Sequence, residues 1–141
     1  MFDRARYASE LYSKEPFAGI CPAEHPFAGQ TVSLAAALDE CLVLREKGSG
    51  TREILEQTLA ATSHSVSEFS RIVTVTSFAL IGRLLLSLDA ITFGYEVLCR
   101  PDGPFATFKV EGWDIVREFN YVSLDNDEAR AAVEAFKAFR P

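Results

Sequence analysis

The chain has 141 residues, a formal net charge of −6 and 48% hydrophobic residues. That is enough apolar material for the core of one domain and argues against disorder. Lys and Arg form no cluster longer than two residues, so the basic face that phosphate backbones require is missing and direct nucleic-acid contact is not expected.

Phe2 to Tyr7 carries charges where a signal peptide has its apolar region, so none is expected. Glu15 to Pro22 reads as a strand entered and left through prolines, and His25 to Gly29 as a loop. Ser33 is placed to cap a brief helix through Leu34 and Leu38. The apolar run Leu42-Val43-Leu44 predicts a buried strand, and Ile54, Leu55 and Leu59 mark one face of a helix from Gly50 to about Thr62.

Between that strand and helix stands Gly48-Ser49-Gly50-Thr51-Arg52. Its glycines permit positive φ and close backbone approach. A helix N-terminus offers unpaired N–H groups and the positive end of a dipole, which suits an anion. Arg52 in the first turn is unfavourable there unless something negative is near. Two readings stand: an anion site, or a capped turn with a local Arg52–Glu56 pair.

Ser63 to Ser70 is polar and loop-like. The β-branched run Ile72 to Val75 predicts a second central strand. Ser77 either caps the next helix, Phe78 to Leu88, or donates to a ligand. Apolar residues nearly encircle that helix, which implies deep burial or a second partner surface. Ile72 to Leu88 is also the longest nearly apolar stretch, too short and too polar to span a bilayer. Further strands are expected at Ala90–Tyr95, Phe105–Val110 and Val116–Leu124. Asp125 and Glu128 resemble a capping box opening a last helix. Its apolar stripe is Ala129, Ala132, Val133, Phe136 and Phe139, with Lys137 and Arg140 at the favourable end.

Strands alternating with helices imply an α/β fold with a largely parallel sheet. Ligands in such sheets sit beyond the carboxyl ends of strands, which gathers Gly48–Thr51, Thr76–Phe78 and Thr92–Glu96 at one mouth. A catalytic constellation is hard to assemble, because Ser49 and Thr51 need a base and the two histidines, His25 and His64, lie in predicted polar loops. Cys21, Cys41 and Cys99 lack metal-ligand spacing and read as reduced, mostly buried thiols of a cytoplasmic protein. Gly48-x-Gly50 lacks the third glycine of a dinucleotide fingerprint and the lysine of a P-loop. No enzyme activity, metal or cofactor is expected.

With these residues laid out, the chain resembles the effector-binding domain of LysR-type transcriptional regulators. The resemblance rests on Glu15 through Gly29, then Val32-Ser33-Leu34, then Leu42 through Arg52 with its REKGSGTR string. Val75-Thr76-Ser77-Phe78, Ile91 through Glu96, the Phe108–Ser123 region and the terminal helix add to it. The resemblance implies one lobe of a periplasmic-binding-protein-like (type II) fold, with a mostly parallel five-stranded sheet flanked by helices, plus a remnant of the other lobe. Residues 1–22 would then be that remnant and the outgoing crossing strand. Residues 23–112 would form the second α/β lobe, and residues 113–141 the returning strand and C-terminal helix.

The family's effector site maps by this similarity to Ser49, Gly50 and Thr51, with Thr76, Ser77, Phe93 and Tyr95 as neighbours. A small anionic effector is implied, as is pairing into a homodimer or with an intact regulator subunit. DNA contact would come through an N-terminal winged helix-turn-helix that this sequence does not include. Ser87-Leu88-Asp89-Ala90 departs from the family's Ala-Gly-Leu-Gly type of turn, so the helix exit lacks both glycines. The stripe on the last helix is expected to be covered by a second copy or by folding back onto the second lobe.

Overall fold

The computed structural model of the protein describes residues 7–138. The charged segment before Tyr7 and the stripe and end positions Phe139 and Arg140 lie outside them. The chain divides into two compact units, one drawn from the residues up to Glu15 and from Val116 onward, the other Pro16–Ile115.

In the Pro16–Ile115 unit the expected elements occur in the expected order, with a two-residue strand at Thr31–Val32 that the sequence does not predict. The long strand β1 (Tyr7–Pro22) enters it, followed by the short strand β2 (Thr31–Val32) and helix α1 (Leu34–Leu38). Ser33 caps α1 as expected, its hydroxyl accepting from the Ala36 N–H at 3.1 Å. Then come β3 (Cys41–Arg45), α2 (Gly50–Ala60), a 3₁₀ turn at Val66–Glu68 and β4 (Arg71–Val75). Helix α3 (Phe78–Leu88), β5 (Thr92–Tyr95), a second 3₁₀ turn at Glu96–Leu98 and β6 (Phe105–Val110) complete it. Strand β7 (Ile115–Leu124) leaves the unit and leads to α4 (Asp127–Ala138).

The sheet is mixed rather than mostly parallel. β3 and β4 run parallel, Cys41 against Arg71 through Arg45 against Val75, and β2 pairs parallel with β6. β1, however, runs antiparallel to both β5 and β6. A parallel bridge between Leu42 and Ile91 joins β3 to the start of β5. The α/β alternation predicts the parallel part, because helices α2 and α3 supply the crossovers that parallel neighbours need. It says nothing about β1, whose partners lie far along the chain. That strand starts at Tyr7, well before Glu15, and pairs with β7 as well.

β3 is buried on both faces. Leu42 and Leu44 join Ile54, Leu55, Leu59 and Phe93 in one cluster, while Val43 joins Val75, Leu85 and Ala90 in another. Each fully buried Leu or Val there contributes about 1.5–3 kcal/mol relative to exposure. β4, expected to be central, pairs within its ladder only with β3 and exposes Arg71, Ile72 and Thr74. Its β-branched composition suits an edge as well as a centre, because propensity reports fit to a pleated surface rather than position.

Gly19 is required by packing, since a Cβ there would overlap the ring of Phe108, its partner across β1 and β6. That ring lies 5.2 Å from Phe27 and 5.7 Å from Phe93 between centroids. His25, expected in a polar surface loop, is instead buried. Its Nδ1 accepts from the Phe27 N–H at 3.0 Å, which leaves Nε2 to donate to Glu40 at 3.1 Å. Cys21 is also buried, and burial, assisted by Cys99 and the carboxylates of Asp89 and Glu40, pushes its thiol up to about 11.

In the other unit the N-cap of α4 is Asn126, whose Oδ1 accepts from the Ala129 N–H at 2.8 Å. Asp125, the expected cap, pairs with Arg130 instead. Among the described residues of α4 none is buried.

Candidate functional site

The turn after β3 builds the site. Gly48 takes φ +93°, the left-handed region glycine tolerates, and reverses the chain after Lys47. Ser49 is the N-cap of α2, yet its hydroxyl makes no capping bond and faces the Thr51 hydroxyl at 3.1 Å. The first-turn N–H groups of α2, which no helix satisfies internally, are therefore not taken by the usual side-chain cap. Arg52 donates from Nε to Glu56 at 2.7 Å and from Nη1 to the Arg45 carbonyl at 3.0 Å. The local Arg52–Glu56 pair thus exists, and it does more than screen a charge: it ties the first turn of α2 to the end of β3.

Arg45 closes β3. Its Nε and Nη2 donate to Glu46 at 3.0 and 3.1 Å, and its guanidinium lies 5.7 Å from the centroid of the Phe78 ring. The hydrogen bond between Arg45 and Glu46 holds the Glu46 carboxyl below the ordinary carboxylate range. Both groups remain charged at neutral pH.

Around this frame lies a cavity of about 250 Å³, wholly within the Pro16–Ile115 unit. Ile20 and Leu44 come from strands β1 and β3, and Thr51, Arg52 and Leu55 from α2. Helix α3 adds Phe78, Ala79, Ile81, Gly82 and Leu85, and β5 adds Thr92, Phe93 and Gly94. Arg45, Cys99 and Phe105 complete the lining, which holds no Asp or Glu. The Thr92 hydroxyl is committed, donating to the Val43 carbonyl at 2.7 Å. Burial, with Glu96 behind it, raises the Cys99 thiol above its ordinary value, so the thiol stays protonated at neutral pH.

Of the residues singled out from the sequence, Thr51 and Phe93 line this cavity. Ser49 and Gly50, the two residues before Thr51, do not line it. Thr76 and Ser77 are exposed between β4 and α3, and Ser77 makes no side-chain cap bond. Tyr95 ends β5 and packs edge-on against Phe17 at 5.7 Å. Phe78, expected at the mouth though not among the site residues, lines the cavity, as do Arg45, Cys99 and Phe105, which the sequence reading does not place there, and Arg52, expected only as a local ion pair. The rule that places Phe78 at the mouth could also have found Arg45, which ends β3 where open α/β sheets hold ligands. Phe105 and Cys99 carry no such signal.

The hydroxyls of Ser49 and Thr51 face each other, while His25 and His64 hydrogen-bond to Glu40 and Glu68 respectively. Among the described residues no three His, Cys, Asp or Glu side chains are grouped to hold a metal ion, and no helix is long and apolar enough to cross a membrane.

An α/β unit reached by one long strand and left by another, with its cavity at the carboxyl end of a parallel pair, is the plan of a periplasmic-binding-protein-like ligand-binding domain. The chain belongs to the LysR substrate binding domain family, which it matches over residues 3–140. It is 26% identical over 132 residues to a RuBisCO operon transcriptional regulator of Allochromatium vinosum, covering 93% of this chain and 44% of that protein. It is 30% identical over 136 residues to the HTH-type transcriptional regulator CbbR of Rhizobium meliloti (strain 1021), covering 93% and 42%. The chain therefore spans less than half the length of these relatives. Among solved structures, the regulatory domain of Synechocystis PCC6803 CcmR in complex with 2-PG superposes with a TM-score of 0.76 at 18% identity, over 98% of this chain and 69% of that one. At that identity the likeness establishes the fold.

Proposed function

We propose that the chain is a small-molecule sensing module of a LysR-type transcriptional regulator, without catalytic activity, acting in the cytoplasm. Its effector is anionic and is held at the start of α2 by Ser49, Gly50 and Thr51, with Phe93 beside it. Residues 23–112 act as the second lobe of the effector domain, residues 1–22 as the end of the first lobe and the outgoing strand, and residues 113–141 as the returning strand and helix. DNA contact belongs to a helix-turn-helix outside these residues.

The observation that carries this reading is the cavity itself. It opens beside an N-terminal turn that has no side-chain cap, and its lining includes Arg45 and Arg52 but no Asp or Glu. Such an arrangement favours a negative guest through charge-assisted hydrogen bonds. The test is calorimetric titration of small carboxylates into the wild-type chain and Thr51→Val. A carboxylate that binds the wild type should bind the variant about tenfold more weakly, the worth of one hydrogen bond to a charged group. Equal affinities would remove Thr51 from the site.

A second reading, pairing with a further copy or with an intact regulator subunit, is favoured by one observation. Helix α3 leaves Leu80 and Leu86 exposed, and neither lines the cavity. The two readings are compatible, since one uses the start of α2 and the other the outer surface of α3.

A further inference from the structure

We propose that the cavity in the Pro16–Ile115 unit selects a monocarboxylate with an apolar, ring-sized body and discriminates against hydroxylated acids of the same shape. The inference rests on the effector-binding reading above and names the class of ligand that site takes.

Few hydrogen-bonding groups of the lining remain for a guest. The Thr92 hydroxyl is spent on the Val43 carbonyl. Arg52 gives Nε to Glu56 and Nη1 to the Arg45 carbonyl, and Arg45 gives Nε and Nη2 to Glu46. What remains is the Ser49–Thr51 hydroxyl pair, which shares one hydrogen bond and keeps one O–H to donate, with the other guanidinium N–H groups and the open turn of α2, all on the β3–α2 side. These are mostly donors, and they suit one compact anion.

The rest of the lining is of another kind. Leu44, Leu55, Leu85 and Phe105 contribute hydrocarbon alone. A ligand hydroxyl turned toward them would leave water without gaining a partner, which is unfavourable in a dry site. An aromatic or branched aliphatic body would instead gain from leaving water. The volume, about 250 Å³, lies under the roughly 300–1,000 Å³ of pockets for drug-sized ligands, so the body is small.

Two features of this chain set that space. Gly82 keeps the wall open beside Phe105, because a Cβ there would come within 3.1 Å of the ring. Phe78 joins the apolar and charged parts: its ring lines the cavity, lies 5.7 Å from the Arg45 guanidinium and is more than half exposed. An acid seated with its carboxylate toward Thr51 and Arg52 would bring its body past this ring.

The test compares three probes by calorimetry on the full chain: benzoate, shikimate and benzyl alcohol. Shikimate keeps a ring and carboxylate but adds hydroxyls, and benzyl alcohol keeps the body without the charge. Benzoate should bind at least about tenfold more tightly than either, a hydrogen-bond-sized difference. Phe78→Ala, whose side chain is exposed enough to lose without unfolding, should weaken benzoate about threefold to tenfold and shift shikimate less. Circular dichroism would establish that the variant is folded. Shikimate binding as tightly as benzoate overturns the ligand class and leaves the anion-binding reading standing. Benzyl alcohol matching benzoate overturns the class and the anionic reading together. No binding of any probe to the folded wild-type chain overturns both as well. Phe78→Ala binding benzoate as well as wild type removes Phe78 from the selection and overturns the rim argument.

Discussion

His25 shows how much one side chain can organise. Its ring is almost wholly buried, and both nitrogens are used, one by the Phe27 N–H and one by Glu40. The ring also meets Phe27 edge-on at 4.7 Å. Removing it would orphan a backbone donor and a carboxylate and open space beside an aromatic cluster. His25→Ala should therefore cost about 2–4 kcal/mol of stability in urea unfolding. His25→Asn should recover part of the loss, because its Oδ1 can still accept from a backbone N–H two residues on. A loss below about 0.5 kcal/mol for the alanine variant, the size of an ordinary surface change, would mean the two bonds are not maintained in solution. At the same scale Arg52 has two duties, closing the β3–α2 corner and lining the cavity. A change there would mix stability with binding, which is why Thr51 is the cleaner probe.

At the scale of elements, the ends of helices carry the chain's individuality. Helix α3 ends at Asp89 in the left-handed conformation, φ 49° and ψ 45°, with the Ala90 N–H donating to the Leu85 carbonyl at 3.1 Å. The family resemblance leads one to expect glycines here. Asp89 adopts the glycine-like geometry itself, which short polar residues tolerate better than branched ones. Asp89→Gly should stabilise the protein by about 0.5 kcal/mol, the relieved strain slightly exceeding the added chain entropy. Asp89→Val should destabilise it by about 1–2 kcal/mol. Thermal or urea unfolding reads both, and a valine variant as stable as wild type would show that the turn can be rebuilt without the left-handed residue. Helix α4 gives the complementary case. Its cap moved by one position, from Asp125 to Asn126, because Asp125 has a charged partner in Arg130.

At the scale of the whole molecule, the question is what covers the apolar surface. The Pro16–Ile115 unit leaves Ile72, Phe78, Leu80 and Leu86 exposed on β4 and α3. The other unit leaves Leu11 on β1 and Val116, Val122 and Leu124 on β7 exposed. Single exposed apolar residues need no explanation, but several on one helix and the adjoining strand suggest an interaction surface. On the pairing reading, sedimentation in dilute solution should show self-association that weakens on dilution. Leu80→Glu with Leu86→Glu should shift the chain to monomer without lowering its unfolding midpoint, since neither side chain belongs to the core. A wild-type chain that remains monomeric at high concentration would count against pairing between copies.

The amino-acid sequence marks every α-helix and the strands that flank α2, α3 and α4, because those features are local, whereas the two-residue β2 before α1 carries no such mark. Leu42–Leu44 buries both faces, Ser33 caps α1, and Ile54, Leu55 and Leu59 share one side of α2. It also marked the Gly48–Thr51 turn, where glycine placement and a helix start coincide in a few consecutive residues. Tertiary structure alone decided three things. It made the sheet mixed, because β1 draws its partners from Phe93 and Phe108, far along the chain. It buried His25, whose acceptor-and-donor role depends on Glu40 and Phe27 arriving together. And it brought Arg45, Cys99 and Phe105 to one cavity while leaving Thr76 and Ser77 in solvent. A motif records the neighbours a residue has along the chain, whereas a cavity is defined by neighbours across space, and only folding supplies those.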